Sequence, residues 1–291
     1  MVKKTIGVTK GLMIALSGFL WLLPSVAGAA TCSPTIGATP YGTVQAAVNA
    51  AGSGNTISVS GDCTENVFIG ENKDAITLDG GGSATITGLF AVINTSPTIQ
   101  VRGSGIVIKN FAAITGGRDG ILVNMGGAAV ILNNIIHGNN RHGVNVNESS
   151  NARIGFQSVN DTAASPNDIH GNGGRGVSVT GSSNARIAGN TISNNDDDGV
   201  GVFSVSHADV SDNEISGNLG DGITVGQNSG VNLGNDTGAT MLDLPNDSTV
   251  NNSGFGIRCF INSYADGRQG TLNGASGATS CTGSSINSLI P

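Results

Sequence analysis

The chain has 291 residues, 46 of them glycine, with only 11% charged residues and a formal net charge of −7. That balance excludes a general affinity for nucleic acid, which needs sustained positive surface. So much glycine would suit a disordered chain, but regularly spaced valine and isoleucine argue for an ordered stack with tight turns.

Residues 1–30 read as a signal peptide. Lys3, Lys4 and Lys10 form a positive start, Gly11 to Val26 is mostly apolar, and Ala27-Gly28-Ala29 supplies the small residues of a cleavage site. Ala29-Ala30-Thr31 before Cys32 makes a poor lipobox, and no later stretch is apolar enough to span a membrane. Without the three lysines of the signal the mature chain carries −10. The expectation is a protein that is secreted, periplasmic or held at the cell surface. Residues 31–291 are expected to form a single repeat domain, with an N-terminal cap over 31–60 and a C-terminal cap over 261–291. All four cysteines lie beyond the signal, which suits an oxidising compartment. Of the three connectivities they allow, Cys32–Cys63 with Cys259–Cys281 is preferred, because Cys281 follows Cys259 by 22 residues, close to one repeat. No CxxC and no nearby histidine supports a metal site there.

Val44, Ala47, Val48 and Ala51 form one apolar face of a short helix over 44–51. From Gly120 onward a glycine-led strand motif recurs six times: GILV, GVNV, GVSV, GVGV, GITV and GIRC, starting at Gly120, Gly143, Gly176, Gly199, Gly222 and Gly256. The steps are 23, 33, 23, 23 and 34 residues. A fixed period in this range marks units that bury their apolar faces only by stacking.

One regular repeat, Gly181 to Phe203, predicts three short strands. In Asn184-Ala185-Arg186-Ile187 the alanine and isoleucine point inward and Arg186 outward, because side chains alternate along a strand. Asn190-Thr191-Ile192 and Gly199-Val200-Gly201-Val202 supply the second and third strands. Stacked repeats then align Ala129, Ala152, Ala185, Ala208 and Val231; Ile131, Ile154, Ile187, Val210 and Leu233; and Ile136, Ile169, Ile192 and Ile215. Two asparagine rows stack likewise, Asn134, Asn167, Asn190 and Asn213, and Asn139, Asn172, Asn195, Asn218 and Asn252; both are read as structural ladders at turns. The fold class is all-β: a single-stranded parallel solenoid of triangular section with a filled interior.

These repeats resemble right-handed parallel β-helix proteins of the pectate-lyase-like superfamily. The N-terminal stretch is similar too: Tyr41-Gly42-Thr43-Val44-Gln45-Ala46-Ala47-Val48-Asn49-Ala50-Ala51, then Gly54-Asn55-Thr56-Ile57-Ser58-Val59, then Glu65-Asn66-Val67. The resemblance spans roughly residues 37–260 and implies that the 44–51 helix plugs the N-terminal end of a right-handed coil. Its enzymatic members mostly act on acidic polysaccharides, while phage spikes, adhesins and structural proteins share the fold. The Asp-Pro-His of alginate epimerases and the Asn-Thr-Asp, Asp-Asp, Gly-His-Gly and Arg-Ile-Lys set of polygalacturonases are absent.

Two long rungs supply the local functional signal. Gly155–Asp168 and Gly234–Asp247 are each 14 residues long, contain Asn-Asp-Thr, end in Pro-Asn-Asp, and fall between the first and second strands. Two regular rungs separate them, so at about 4.8 Å per rung they stand roughly 14 Å apart, enough to flank one sugar chain. Duplicated turn ornaments are the alternative. The groove floor would present Arg186, Thr191, Asp209, Asp212 and Glu214, beside Arg153, Asp168 and His170.

Residues 102–186 hold seven Lys/Arg against four acids, whereas 187–291 hold eleven acids against two arginines. An anionic glycan is therefore expected at Arg153, Arg186, His170 and Thr191, arginine being suited to carboxylates by its planar fork. Asp168, Asp209, Asp212 and Glu214 are the carboxylates to consider for catalysis. Asp168 and Glu214 would lie about 9–10 Å apart, near the upper range of inverting glycosidases. Lyase or epimerase chemistry would instead need Arg or His to take a C5 proton. Solvated charges on outward strand faces are the competing account. His137, His142 and His170 are read as exposed turn residues. No motif demands a cofactor; Asp196, Asp198 and Asp221 offer clustered oxygens of the kind Ca²⁺ favours, against which stands a solvated acidic turn. The expected partner is a polysaccharide or cell-surface glycan. The expected role is binding or structural, the alternative being a polysaccharide lyase, epimerase or hydrolase.

Overall fold

The computed structural model describes residues 1–2, 31–89, 96–158, 161, 163–234, 243–281 and 286–290, so most of the stretch read as a signal peptide lies outside them. A regular rung gives one short strand to each of three sheets, which hold 12, 7 and 9 strands among the described residues and are called here the first, second and third after their order within a rung. The alternating pattern sets the register. In the first sheet Ala129, Ala152, Ala185, Ala208 and Val231 are successive partners, as are Ile131, Ile154, Ile187, Val210 and Leu233. In the second sheet Ile136, Ile169, Ile192 and Ile215 align. In the third, Val123, Val146, Val179, Val202 and Val225 lead to Cys259. These columns meet in one continuous buried core. Burial of aliphatic side chains, worth roughly 1.5–3 kcal/mol each, is what holds the rungs together.

The leading glycine of the repeat answers a steric demand rather than a dihedral one. A Cβ at Gly143, Gly176 or Gly199 would strike Cγ2 of Ile169, Ile192 or Ile215 and the carbonyl of the next rung's glycine. The asparagines form two unbroken hydrogen-bonded files. Asn190 Oδ1 accepts from Asn167 N and Nδ2 at 3.1 and 2.9 Å, while Asn190 Nδ2 donates to Ile154 O, Ala188 O and Asn213 Oδ1. Asn246 extends this file by one more rung.

At the N-terminal end the helix α1 (Val44–Ala50) begins where Thr43 accepts from the amide of Ala46 and buries Val44, Ala47 and Val48. The Glu65 carboxylate accepts from the free amides of Val44 and Gln45 at 2.8 and 2.9 Å, favourable at a helix N-terminus. One element departs from the all-parallel expectation. Thr35–Ile36 pairs antiparallel with both Thr39–Pro40 and Thr56–Ser58. The chain turns back there and covers the edge of Thr56–Ser58 with a two-residue strand. Both expected disulfides are present: Cys32–Cys63 and Cys259–Cys281, with Cα atoms 4.7 and 4.5 Å apart. Cys259 and Cys281 are register partners on adjacent strands of the third sheet. No helix among the described residues is long and apolar enough to cross a membrane.

Candidate functional site

A shallow groove of about 770 Å³ runs across the outward face of the first sheet. Its floor follows from strand alternation: Val130, Arg153, Arg186, Asp209 and Asn232 form one outward column. Asn151, Asn184 and His207 form the neighbouring one, ending where the Tyr264 ring lies over Gly230, a position with no side chain to obstruct it. His207 and Tyr264 stand 6.2 Å apart between ring centroids. Arg186 is paired with Asp209 at 3.0 Å, and Asn232 also donates to Asp209. Arg153 donates to the Gln157 carbonyl at 3.0 Å and has no carboxylate partner among the described residues.

The long rung after Arg153 is anchored at its described ends. Asp161 accepts from the amides of Gln157 and Ser158, and the Ser165 amide returns to the Gly155 carbonyl. The chain rejoins the stack at Asn167, as the later long rung does at Asn246. Residues 159, 160, 162 and 235–242 lie outside the described residues. The two Asn-Asp-Thr segments fall there except for Asp161.

The remaining candidates lie on a different face. Asp168, Thr191 and Glu214 form an outward column of the second sheet, with His170 beside them. Asp168 faces His170 at 3.8 Å, and His170 stacks on His137 with centroids 5.2 Å apart. The His137 imidazole is held below its ordinary value by burial and then by the neighbouring His170. Glu214 Oε1 accepts from both the amide and the hydroxyl of Thr249 at 2.8 Å. Partial burial pushes the Glu214 carboxyl up, but these bonds and one from Ser216 outweigh it and lower its pKa. Asp212 occupies the corner between the two sheets in a left-handed conformation (φ 54°), and its carboxyl is raised by burial and by Asp247. The structure thus brings Arg153, Arg186 and Asp209 together and sets Asp168, His170, Thr191 and Glu214 apart from them.

The third sheet holds a charged file, Asp119, His142, Arg175, Asp198 and Asp221, each directly before a leading glycine. His142 is buried rather than an exposed turn residue, and its Nδ1 accepts from the Arg175 amide at 3.1 Å. Burial, then the cations Arg141, Arg175 and Arg118, push its pKa down to about 3. Asp198 and Asp221 do not form a solvated turn either; both are buried, while Asp196 stays exposed. Asp198 accepts from Arg175 Nε at 2.9 Å and from the Asp221 amide at 3.0 Å, and Arg175 lies over the Phe203 ring. Asp221 accepts from Thr224 Oγ1 and the Phe255 amide. Asp198 and Asp221 are therefore already committed to amides and cations of this chain. A signal for this face was present in the third letter of the glycine-led motif, where Leu122, Asn145, Ser178, Gly201 and Thr224 form the outward column.

The chain matches the right-handed β-helix region family over residues 119–290 and belongs to that family. Among solved structures it is similar to the enzymatically active domain of tailspike protein 2 from bacteriophage CBA120. There the TM-score is 0.45 and the identity 13%, over 79% of this chain and 36% of that one. It is also similar to the A-module of the mannuronan C-5 epimerase AlgE6 from Azotobacter vinelandii, with TM-score 0.34 and 16% identity over 80% and 78% of the two chains. The chain therefore spans about a third of the tailspike domain. No curated protein sequence matches it.

Proposed function

We propose that this is an exported β-helix that binds an anionic polysaccharide along the outward face of its first sheet. The observation that carries the reading is the groove itself, in which Arg153 and Arg186 stand on adjacent rungs among the amides of Asn151, Asn184 and Asn232. Guanidinium groups suit carboxylates, and side-chain amides suit hydroxyls. Binding is favoured over catalysis because, of the candidate carboxylates, the groove's lining includes Asp209 alone, and it is already paired with Arg186. The protein should be retained on immobilised polygalacturonate or alginate and released by salt. Replacing Arg153 and Arg186 together by alanine should abolish that retention. Unchanged retention of the double variant, or stronger retention on neutral dextran through the same groove, would overturn the reading.

A further inference from the structure

A second hollow, of about 410 Å³, lies on the outward face of the third sheet, away from the groove just described. Its size falls within the roughly 300–1,000 Å³ typical of small-molecule sites. Leu122 and Pro97 give it an apolar patch, and Gln100, Asn124, Asn147 and Thr180 line it with amide and hydroxyl groups. Its charges balance. Arg118 is held by Asp119 at 2.7 Å, and the lining carries one further cation, Arg141, and one anion, Glu148, which accepts from Asn124.

Two buried polar atoms, one in the lining of the hollow and one three residues before it, lack partners among the described residues. Asn145 lines the hollow with only 2% of its surface exposed, and its Oδ1 accepts no hydrogen bond. His142, 3% exposed and three residues earlier, uses Nδ1 as an acceptor, which puts its proton on Nε2; that N–H has no acceptor. Orphaned buried groups are rare and costly, so a pair of them calls for a reason. The comparison along the stack supplies one. Asp221 and Thr224 hold the same relative positions three rungs on, and they bond directly at 3.0 Å. At His142 and Asn145 the corresponding atoms have no hydrogen-bond partner among the described residues, not even each other. One is a donor and the other an acceptor, the pair that a single hydroxyl satisfies by accepting from Nε2–H and donating to Oδ1.

We infer that this hollow is a binding site for a neutral sugar, with one ring hydroxyl seated between His142 and Asn145 and the ring's C–H face against Leu122. The balanced charge sets it apart from the arginine-lined groove of the first sheet, and it stands whether or not that groove binds a polyanion. The probes are D-glucose, D-galactose and D-mannose, each titrated into ¹⁵N-labelled protein at millimolar concentration. At least one should shift both the Asn145 side-chain amide and the His142 Nε2 resonance. Asn145→Leu, which repeats the residue at Leu122 in the same column, should fold and weaken that sugar by about tenfold or more, as expected when a buried group no longer reads a hydroxyl. Asn145→Ser, matching Ser178 on the next rung, controls for packing and should weaken it too. Arg153→Ala with Arg186→Ala should leave these shifts intact. Silence of both resonances with all three sugars would mean that the hollow holds water alone and would overturn the inference. Full affinity in Asn145→Leu would do the same.

Discussion

Arg153 and Arg186 share an outward column, yet their circumstances differ. Arg186 is neutralised by Asp209 at 3.0 Å, whereas Arg153 donates to the Gln157 carbonyl and has no carboxylate partner among the described residues. A bound carboxylate must compete with Asp209 at one and finds no such rival at the other. Single substitutions should therefore be unequal, with Arg153→Ala costing more affinity for an acidic glycan than Arg186→Ala, as a binding isotherm at low salt would show. Equal losses would count against it. A second residue-scale expectation concerns His142, whose pKa is lowered from 6.5 to about 3. The unfolded chain then binds this proton more readily than the folded one. Stability contributed by the neutral ring is complete above about 6.5 and is lost as pH falls toward 3, by an amount on the order of a few kcal/mol. Urea midpoints between these pH values should fall less steeply in His142→Asn, since Asp119, Asp198 and Asp221 show that a side-chain oxygen here can accept the next rung's amide.

Individual rungs owe their uniformity to two residue types. At Gly199 an added methyl would meet Ile215 Cγ2, the Gly222 carbonyl and Asn218 Nδ2, so Gly199→Ala should cost roughly 1–3 kcal/mol by overpacking. Asn190→Ala removes the acceptor of the buried Asn167 N and Nδ2 and the donor to the Ile154 and Ala188 carbonyls, while Asn213 Oδ1 keeps the backbone amide of residue 190; it should cost several kcal/mol, of order 1–3 for each buried group stranded. Thermal or urea unfolding checks both, and a loss below about 1 kcal/mol in either would contradict the packing described. These elements were legible in the sequence because alternation fixes which side chain faces inward and a 23-residue step fixes what stacks on it. The site was less so. Arg186 and Asp209 are visible as column neighbours, but spacing does not say that they pair. Thr191 and Glu214 follow Arg186 and Asp209 by only five residues, yet the corner between them turns the two sets onto different sheets. His142 reads as a turn residue because spacing does not show that its ring is buried and accepts the Arg175 amide of the next rung.

Across the whole molecule, stability in a stack is a sum of neighbour contacts, so the ends are its weakest parts. The two disulfides sit near those ends, Cys32–Cys63 beside the capping helix and Cys259–Cys281 across the last strands of the third sheet. Reduction should lower the melting temperature and speed amide exchange first around residues 31–70 and 255–281, while amides near Ile154 and Ile187 stay protected. Uniform loss of protection would indicate instead that the stack unfolds only as a unit. The asparagine files add a property of a different kind. Every Nδ2 in the file from Asn134 to Asn213 donates toward the following rung and every Oδ1 accepts from the preceding one. The amide dipoles therefore point head to tail along the coil, as peptide dipoles do in a helix. This gives the protein a direction, with a donor pole toward its C-terminal end and an acceptor pole toward its N-terminal end. A further rung grafted onto it would have to arrive with an acceptor facing the C-terminal pole or a donor facing the N-terminal one, so the coil can be lengthened in one polarity only.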